Sequence, residues 1–361
     1  MDLLFQKRIN KLRGFLGNPD EALLLTNEVN IGYFSGFFHS EGYLLVTQQS
    51  AVLMVDFRYH EAAQKKSQCN VMCFSKLFED LNSLLQKDSV RCLHVETSNL
   101  TIARYQRLKK KLQDAGVELC ADGKLDRHIE QLRIIKDSTE LEKIQKAQKI
   151  AENAYLELLN DVHVGITERE LAARLQFYMK QGGAEDVSFD LITITGKKTS
   201  LPHGVPSDDC VCDGDFITCD FGAVYEGYHS DTTRTVAVGH ASKHMQDIYN
   251  IVLSAQLAAL ETIKPNVKCS AVDKAARDII SQAGYGEFFG HSTGHGVGLN
   301  IHEQPFVSPK SETVLQAGMV ITDEPGIYLP DMFGVRIEDM LCVTETGYKN
   351  FVSLSKELII I

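Results

Sequence analysis

Two carboxylates, Asp220 and Asp231, flank a turn signal, Tyr225-Glu226-Gly227, inside the stretch GDFITCDFGAVYEGYHSDTTR at 214–234. Phe216 to Thr218 lead into Asp220 as a strand. Tyr228 to Val236, rich in Thr, Tyr and Val, reads as the return strand, and Gly227 can take the positive φ of a tight hairpin turn. With the turn centred between Tyr225 and Glu226, Asp220 stands opposite Asp231; a bulge at Gly227 would shift this by one residue. Directly opposed Cβ atoms lie roughly 4.5–5.5 Å apart, where like charges repel. Such a pair calls for a cation between the carboxylates, or for a shared proton.

The device recurs about a hundred residues later. GMVITDE at 318–324 repeats the spacing of GDFITCD at 214–220: a Gly, then Ile-Thr at one offset, then a carboxylate six residues after the Gly. A turn-rich segment follows (Pro325-Gly326, Leu329-Pro330-Asp331), then a strand from Gly334 to Asp339. Period-2 alternation puts Val335 and Ile337 on one side and Arg336 and Glu338 on the other. Two hairpins thus deliver two carboxylates each, a weak internal duplication that suggests four acidic groups around one centre.

Between the hairpins lies HSTGHGVGLNIHE at 291–303, with His291, His295 and His302 in twelve residues and Gly294, Gly296 and Gly298 around the middle one. Glycines there allow close approach of backbone to a ligand or another strand. The run is no dinucleotide fingerprint, because no helix is signalled after it. It is no HExxH motif either, since Phe306 occupies the place of the second His. Ahead of the first hairpin, Pro202 and Pro206 hold His203 in a rigid loop. Four carboxylates and one imidazole form a hard, oxygen-rich ligand set suited to Mn2+, Co2+, Fe2+ or Zn2+. They suit two ions sharing carboxylates and a water, an arrangement that makes hydroxide available near neutral pH and polarises the bond under attack. The residues alone point to a two-metal hydrolase.

The elements that must position these groups occupy the second part of the chain. Thr139 to Glu142 reads as a capping box opening a helix with Leu141, Ile144, Ala151, Ala154 and Leu158 on one stripe. Thr167 to Glu170 caps a second helix, ended by Gly182-Gly183. Phe189–Thr195 reads as a strand, and 246–263 and 271–283 as helices. Residues 1–125 alternate buried strands (Ala22–Leu25, Tyr43–Val46, Val52–Val55, Cys92–Val95) with helical patterns (Leu77–Leu85, Ile102–Leu112), an α/β domain without a catalytic motif. His39 and His94 there read as structural or exposed. The polar stretch 123–133 marks the boundary, giving domains at 1–125 and 126–361.

At 361 residues, 44% hydrophobic and 24% charged, the chain is long enough for two full-sized cores. Its net charge of −11 argues against a non-specific nucleic-acid binder. No apolar run is long enough to span a bilayer, and the N-terminus reads as a short amphipathic helix, not a signal peptide. Nine cysteines without a framework or zinc spacing read as reduced thiols in a cytoplasmic protein.

PHGVP, CDFG…HSDTTRT, HSTGHGVGLNIHE, TDEPGIY and GVRIEDM, in this order and spacing, resemble the pita-bread metallopeptidases, above all the aminopeptidase P and prolidase branch, which cleaves Xaa-Pro bonds. The resemblance covers the chain from about Gln131 to the end. The first domain also resembles that family's N-terminal domain at NIGYFSGF, 30–37. It implies an α/β creatinase-like N-terminal domain followed by an α+β pita-bread catalytic domain. It implies two divalent ions, Mn2+ first and Co2+ or Zn2+ as alternatives, held by Asp220, Asp231, His295, Glu324 and Glu338. In the family, Asp220 would chelate one ion, His295 and Glu324 the other, and Asp231 and Glu338 would be shared. Glu324 would also move the proton of the attacking water. His302 would hydrogen-bond the scissile carbonyl or the tetrahedral intermediate, His291 would line the pocket, His203 would close over the substrate and Arg336 would orient a carboxylate or the intermediate. The implied substrate is a peptide with proline at its second position, and the family is often dimeric, so a homodimer is expected. Two positions depart from the pattern, Asn300 where an acidic residue is common and Lys198 where a small polar one is; neither belongs to the ligand set.

Four readings follow. An Xaa-Pro aminopeptidase is preferred over an Xaa-Pro dipeptidase, because no feature obviously blocks the end of the cleft. A catalytically silent binding protein, or a metal-free amidinohydrolase like creatinase, would have lost metal ligands, and here all five are present.

Overall fold

The computed structural model describes residues 3–38 and 41–361; Met1 and Asp2, where the sequence reading begins its amphipathic segment, and His39 lie outside the described residues. The chain divides into two compact units, one ending at Arg133 and the other spanning Ile134–Ile361. Among the described residues, no helix is long and apolar enough to cross a membrane.

The first unit is built on a six-stranded mixed sheet in the order Asn70–Cys73, Ala51–Val55, Gly42–Val46, Glu21–Leu25, Cys92–Val95, Glu118–Cys120. The expected strands and helices are present, and alternation sends Ala22, Leu24, Leu93 and Val95 into one apolar core. The helix Lys124–Arg133 belongs to this unit and not, as the sequence reading has it, to the next. It buries Leu125 and Ile129, and Arg133 donates to Asn30 Oδ1 at 2.7 Å. The polar stretch that reads as a linker is the outer face of an amphipathic helix.

The second unit carries the carboxylates. Its long helix Ser138–Leu159 is capped by Asp137, whose carboxylate accepts from Thr139 and Glu140 while Glu140 reaches back. The box therefore opens two residues before the one read from sequence. Asp at the cap position competes well with Thr. Thr167 caps Glu168–Gln181 as expected. These helices cover one face of a three-stranded antiparallel sheet, Thr232–Ala237 / Phe216–Phe221 / Ile192–Thr195, through Ile217, Cys219 and Phe221. A five-stranded sheet holds Gly294–Gly296, Val320–Asp323 and Asp339–Val343, and packs Ile321 and Leu341 with helices Lys243–Thr262 and Cys269–Gln282.

Candidate metal centre

The first hairpin turns at Glu226 (φ 48°) and Gly227 (φ 79°), a two-residue turn with both central residues left-handed. Its centre lies one residue beyond the one expected, so cross-strand partners move by two. Asp220 faces Thr233, not Asp231. A slip of two preserves the face, and Asp231 remains on the same side as Asp220, in the diagonal position. In the second hairpin, Asp323 pairs with Asp339 and Gly326 with Arg336. That register sets Glu324 opposite Glu338, so the head-on carboxylate pair occurs there. Val335 and Ile337 point into the apolar core, while Arg336 and Glu338 point into the site.

All nine residues singled out in the sequence line one cavity of about 590 Å3, together with Phe189, Leu191, Val205, Phe306 and others. His295 Nε2 lies 3.4 Å from both Asp231 Oδ2 and Glu324 Oε1. Asp231, His295 and Glu338 offer ligand atoms within 4.8 Å of one another. The Nδ1 side of His295 faces Gly296 O at 3.1 Å, which leaves Nε2 as the atom turned to the carboxylates. Glu338 Oε2 accepts from Thr233 Oγ1 at 2.7 Å, and its N–H donates to Thr233 O, tying the two hairpins together. Thr322 Oγ1 accepts from the His295 N–H and donates to Glu324 Oε1.

The electrostatics ask for positive charge. Burial, then neighbouring carboxylates, push Asp231 and Glu338 well above the ordinary range. Burial raises Glu324 too. Asp220 Oδ2 accepts from Arg336 Nη2 at 2.7 Å, while Oδ1 is buried with no partner. An orphaned carboxylate oxygen, three acids forced towards neutrality and an imidazole lone pair make a donor set that fits hard divalent cations.

Around this centre the sequence missed Tyr328, Thr233, Thr322 and Glu168, which hold the residues it did name. Arg336 donates to Thr233 Oγ1, Tyr328 Oη and Pro202 O as well as to Asp220, so its guanidinium braces the site and the loop before His203. Tyr328 Oη lies 2.8 Å from His291 Nε2. Burial lowers His291 to about 4, so it is neutral at pH 7. His302 packs edge-on against His295 with ring centroids 4.3 Å apart; burial and His295 lower its pKa. His203 is exposed on its loop at the cavity mouth. That loop is fastened by wholly buried Glu168, which accepts from Lys198 Nζ at 2.5 Å and from Ser207 N–H at 2.8 Å. No motif announces these braces, because their partners are distant in sequence.

The glycines between the histidines serve backbone approach. A Cβ on Gly294 would meet Thr322 O at 2.1 Å, and one on Gly296 would meet Gln304 O at 2.3 Å. Only residues without a side chain let this strand lie tightly enough to aim His295.

Comparison with known proteins accounts for the arrangement. Residues 142–345 match the metallopeptidase family M24, and residues 8–135 match the creatinase/prolidase N-terminal domain. An Xaa-Pro dipeptidase of Pyrococcus horikoshii is 41% identical over 361 residues, 99% of this chain and 100% of the relative. The solved structure of an Xaa-Pro dipeptidase from Bacillus anthracis superposes with a TM-score of 0.93 at 38% identity, covering 99% of this chain and 100% of that one. An X-Pro aminopeptidase from Thermotoga maritima gives 0.91 at 35%, covering 98% and 100%. The fold is a creatinase-type N-terminal domain joined to a pita-bread catalytic domain. The chain belongs to metallopeptidase family M24. It is a metal-dependent peptidase, as its carboxylate cage requires.

Proposed function

We propose that this metallopeptidase hydrolyses the bond preceding proline at the amino end of short peptides, with Xaa-Pro dipeptides as the first substrate class. The observation that carries this is the pairing of a complete carboxylate–imidazole cage with full-length likeness to relatives named Xaa-Pro dipeptidase. The sequence alone prefers the aminopeptidase; likeness over nearly the whole chain to two Pyrococcus proteins named Xaa-Pro dipeptidase favours the dipeptidase.

Asp220, Asp231, His295, Glu324 and Glu338 would hold two divalent ions, Mn2+ first and Co2+ or Zn2+ as alternatives, in keeping with an oxygen-rich donor set. When bound, such ions lower the pKa of water and polarise the carbonyl under attack. Glu324 is buried and has a raised affinity for protons. It takes the proton of the attacking water and delivers it to the proline nitrogen as the C–N bond breaks. His302 and His203, both facing the cavity, donate to the carbonyl oxygen as charge develops there. Neutral His291 is held by Tyr328 and lines the pocket. The protein acts as a cytoplasmic homodimer.

A second reading, removal of the first residue from longer Xaa-Pro peptides, is favoured by one observation. Among the described residues that line the cavity, Arg336 is the only Lys or Arg, and it is engaged by Asp220, Thr233, Tyr328 and Pro202. The surrounding wall is apolar, with Phe189, Leu191, Val205 and Phe306. Such a wall accepts a continuing chain more readily than a dipeptide's carboxylate. The test of proline dependence is kcat/KM on Ala-Pro against Ala-Ala with metal-loaded protein. Preference for Ala-Pro supports the reading; equal rates on both overturn it.

A further inference from the structure

The first unit carries a second cluster of metal-ligand side chains. Cys92 and His94 lie on the strand Cys92–Val95, and Cys120 ends the edge strand Glu118–Cys120. The two strands are parallel, with Cys92 opposite Glu118 and His94 opposite Cys120. Side chains alternate, so Cys92, His94 and Cys120 share one face, while Leu93 and Val95 enter the apolar core on the other. The Sγ atoms of Cys92 and Cys120 are in contact at 2.6 Å, and His94 Nε2 lies 3.6 Å from Cys92 Sγ. One ligand atom from each of the three falls within 4.8 Å of the others. Glu21, on the neighbouring strand opposite Cys92, brings Oε2 to 3.8 Å from His94 Nε2. The face is half-buried, and Phe15 packs edge-on against His94 with centroids 5.0 Å apart.

We propose that Cys92, Cys120 and His94 hold one thiophilic divalent ion of the zinc class, with the Glu21 carboxylate as the fourth donor. Two sulfurs and an imidazole are the soft-to-borderline donors that select Zn2+ over Mg2+ or Mn2+, the reverse of the carboxylate cage in the second unit. A disulfide is the competing occupant of the same atoms. It fits the backbone less well: a two-residue offset across parallel strands separates the Cα atoms by about 8 Å, from a spacing near 4.8 Å and a rise near 3.3 Å per residue. Disulfides rarely bridge more than about 7 Å. An ion tolerates the longer Cα separation: with Zn–S about 2.3 Å in tetrahedral geometry the sulfurs stand about 3.8 Å apart, so the 2.6 Å contact opens by about 1 Å on binding, and each thiol gives up its proton to solvent. The ion would pin the three-residue edge strand to its neighbour.

Cobalt(II) is the probe, added to the full-length protein under reducing conditions. Thiolate ligation gives an intense near-ultraviolet sulfur-to-cobalt charge-transfer band that a carboxylate and imidazole centre does not give. The band is expected at one equivalent and is displaced by one equivalent of Zn2+. It is lost in Cys92→Ser and Cys120→Ser, and unchanged in His295→Ala and in Cys210→Ser/Cys212→Ser. A measurement without variants runs alongside: Zn2+ shields two of the nine cysteines from alkylation, and peptide mapping assigns them to Cys92 and Cys120. Absence of the band, its survival in both serine variants, shielding of other cysteines, or recovery of Cys92–Cys120 as a disulfide from reduced protein overturns the proposal.

Discussion

Arg336 and Asp220 meet at 2.7 Å across two hairpins, and the contact uses one carboxylate oxygen of Asp220 while the other stays buried and unpartnered. The guanidinium fixes the carboxylate's orientation and leaves the other oxygen free for a ligand, in a side chain that lines the cavity. Replacing Arg336 by Met therefore lowers activity by about a hundredfold, the cost of a misplaced catalytic group. The same variant binds less metal, read by elemental analysis of dialysed protein. Wild-type metal content with wild-type kcat would show that the contact orients nothing.

The protonation of the cage sets how the metal-free protein responds to pH. Asp231, Glu324 and Glu338 are raised in the folded state, by burial first and by their neighbours after it. Above about pH 4, where unfolded carboxyls lose their protons, the folded protein binds more protons than the unfolded chain. The stability from these groups is present at low pH and declines as pH rises towards the raised values. The unit Ile134–Ile361 of the chelated protein should melt several degrees lower at pH 8 than at pH 5.5, about 2–4 °C for each kcal/mol in a unit of that size. Saturating divalent metal removes that decline. A chelated protein that melts higher at pH 8 than at pH 5.5 contradicts this account.

Lys198 departs from the family pattern, and its contacts give it a structural purpose. It reaches wholly buried Glu168, which also accepts from Ser207 at the far end of the loop that carries His203. Lys198→Met leaves a buried carboxylate without its cation and costs about 3 kcal/mol. It also loosens His203, so KM rises more than kcat falls. Thermal melting and steady-state kinetics read the two effects. A variant that melts as the wild type does would show that the pair holds nothing.

Gly294 faces the carbonyl of Thr322 so closely that an added Cβ would stand 2.1 Å from the oxygen. Backbone must shift to admit even Ala, and the shift displaces His295 next to it. Gly294→Ala is expected to lose metal binding and at least about 2 kcal/mol of stability. Gly290→Ala is the control, because a Cβ there meets nothing within 4 Å. Equal stability of the two variants would remove the packing argument.

Much of this site was legible in the sequence, for one physical reason. Alternation in a strand assigns a face without the register being known. The turn at Glu226-Gly227 lies one residue later than expected, and Asp220 pairs with Thr233, yet Asp220 and Asp231 still share a face because the slip is even. The repeated Gly–Ile-Thr–carboxylate spacing likewise survives without knowing that Glu324 and Glu338 are the opposed pair. Tyr328, Thr233 and Thr322 were illegible. They act on ligands through hydrogen bonds made across the fold, and a lone Tyr or Thr on a strand carries no sign of its partner. The sequence puts the domain boundary in the stretch 123–133 and closes the first domain at 125; the amphipathic helix Lys124–Arg133, whose charged outer face looks like a linker, carries the first unit on to Arg133.

The central claim, metal-dependent hydrolysis before proline, is tested most directly by following products over time. Ala-Pro and Ala-Pro-Ala are each incubated with Mn2+-loaded protein, with a chelator control and with Glu324→Gln alongside. Free alanine and proline are expected from Ala-Pro, abolished by the chelator and by the substitution. Alanine from the tripeptide as well would extend the activity to longer chains, as the apolar cavity wall favours. No cleavage of either peptide by protein with its metals bound, or cleavage that survives chelation, would contradict it.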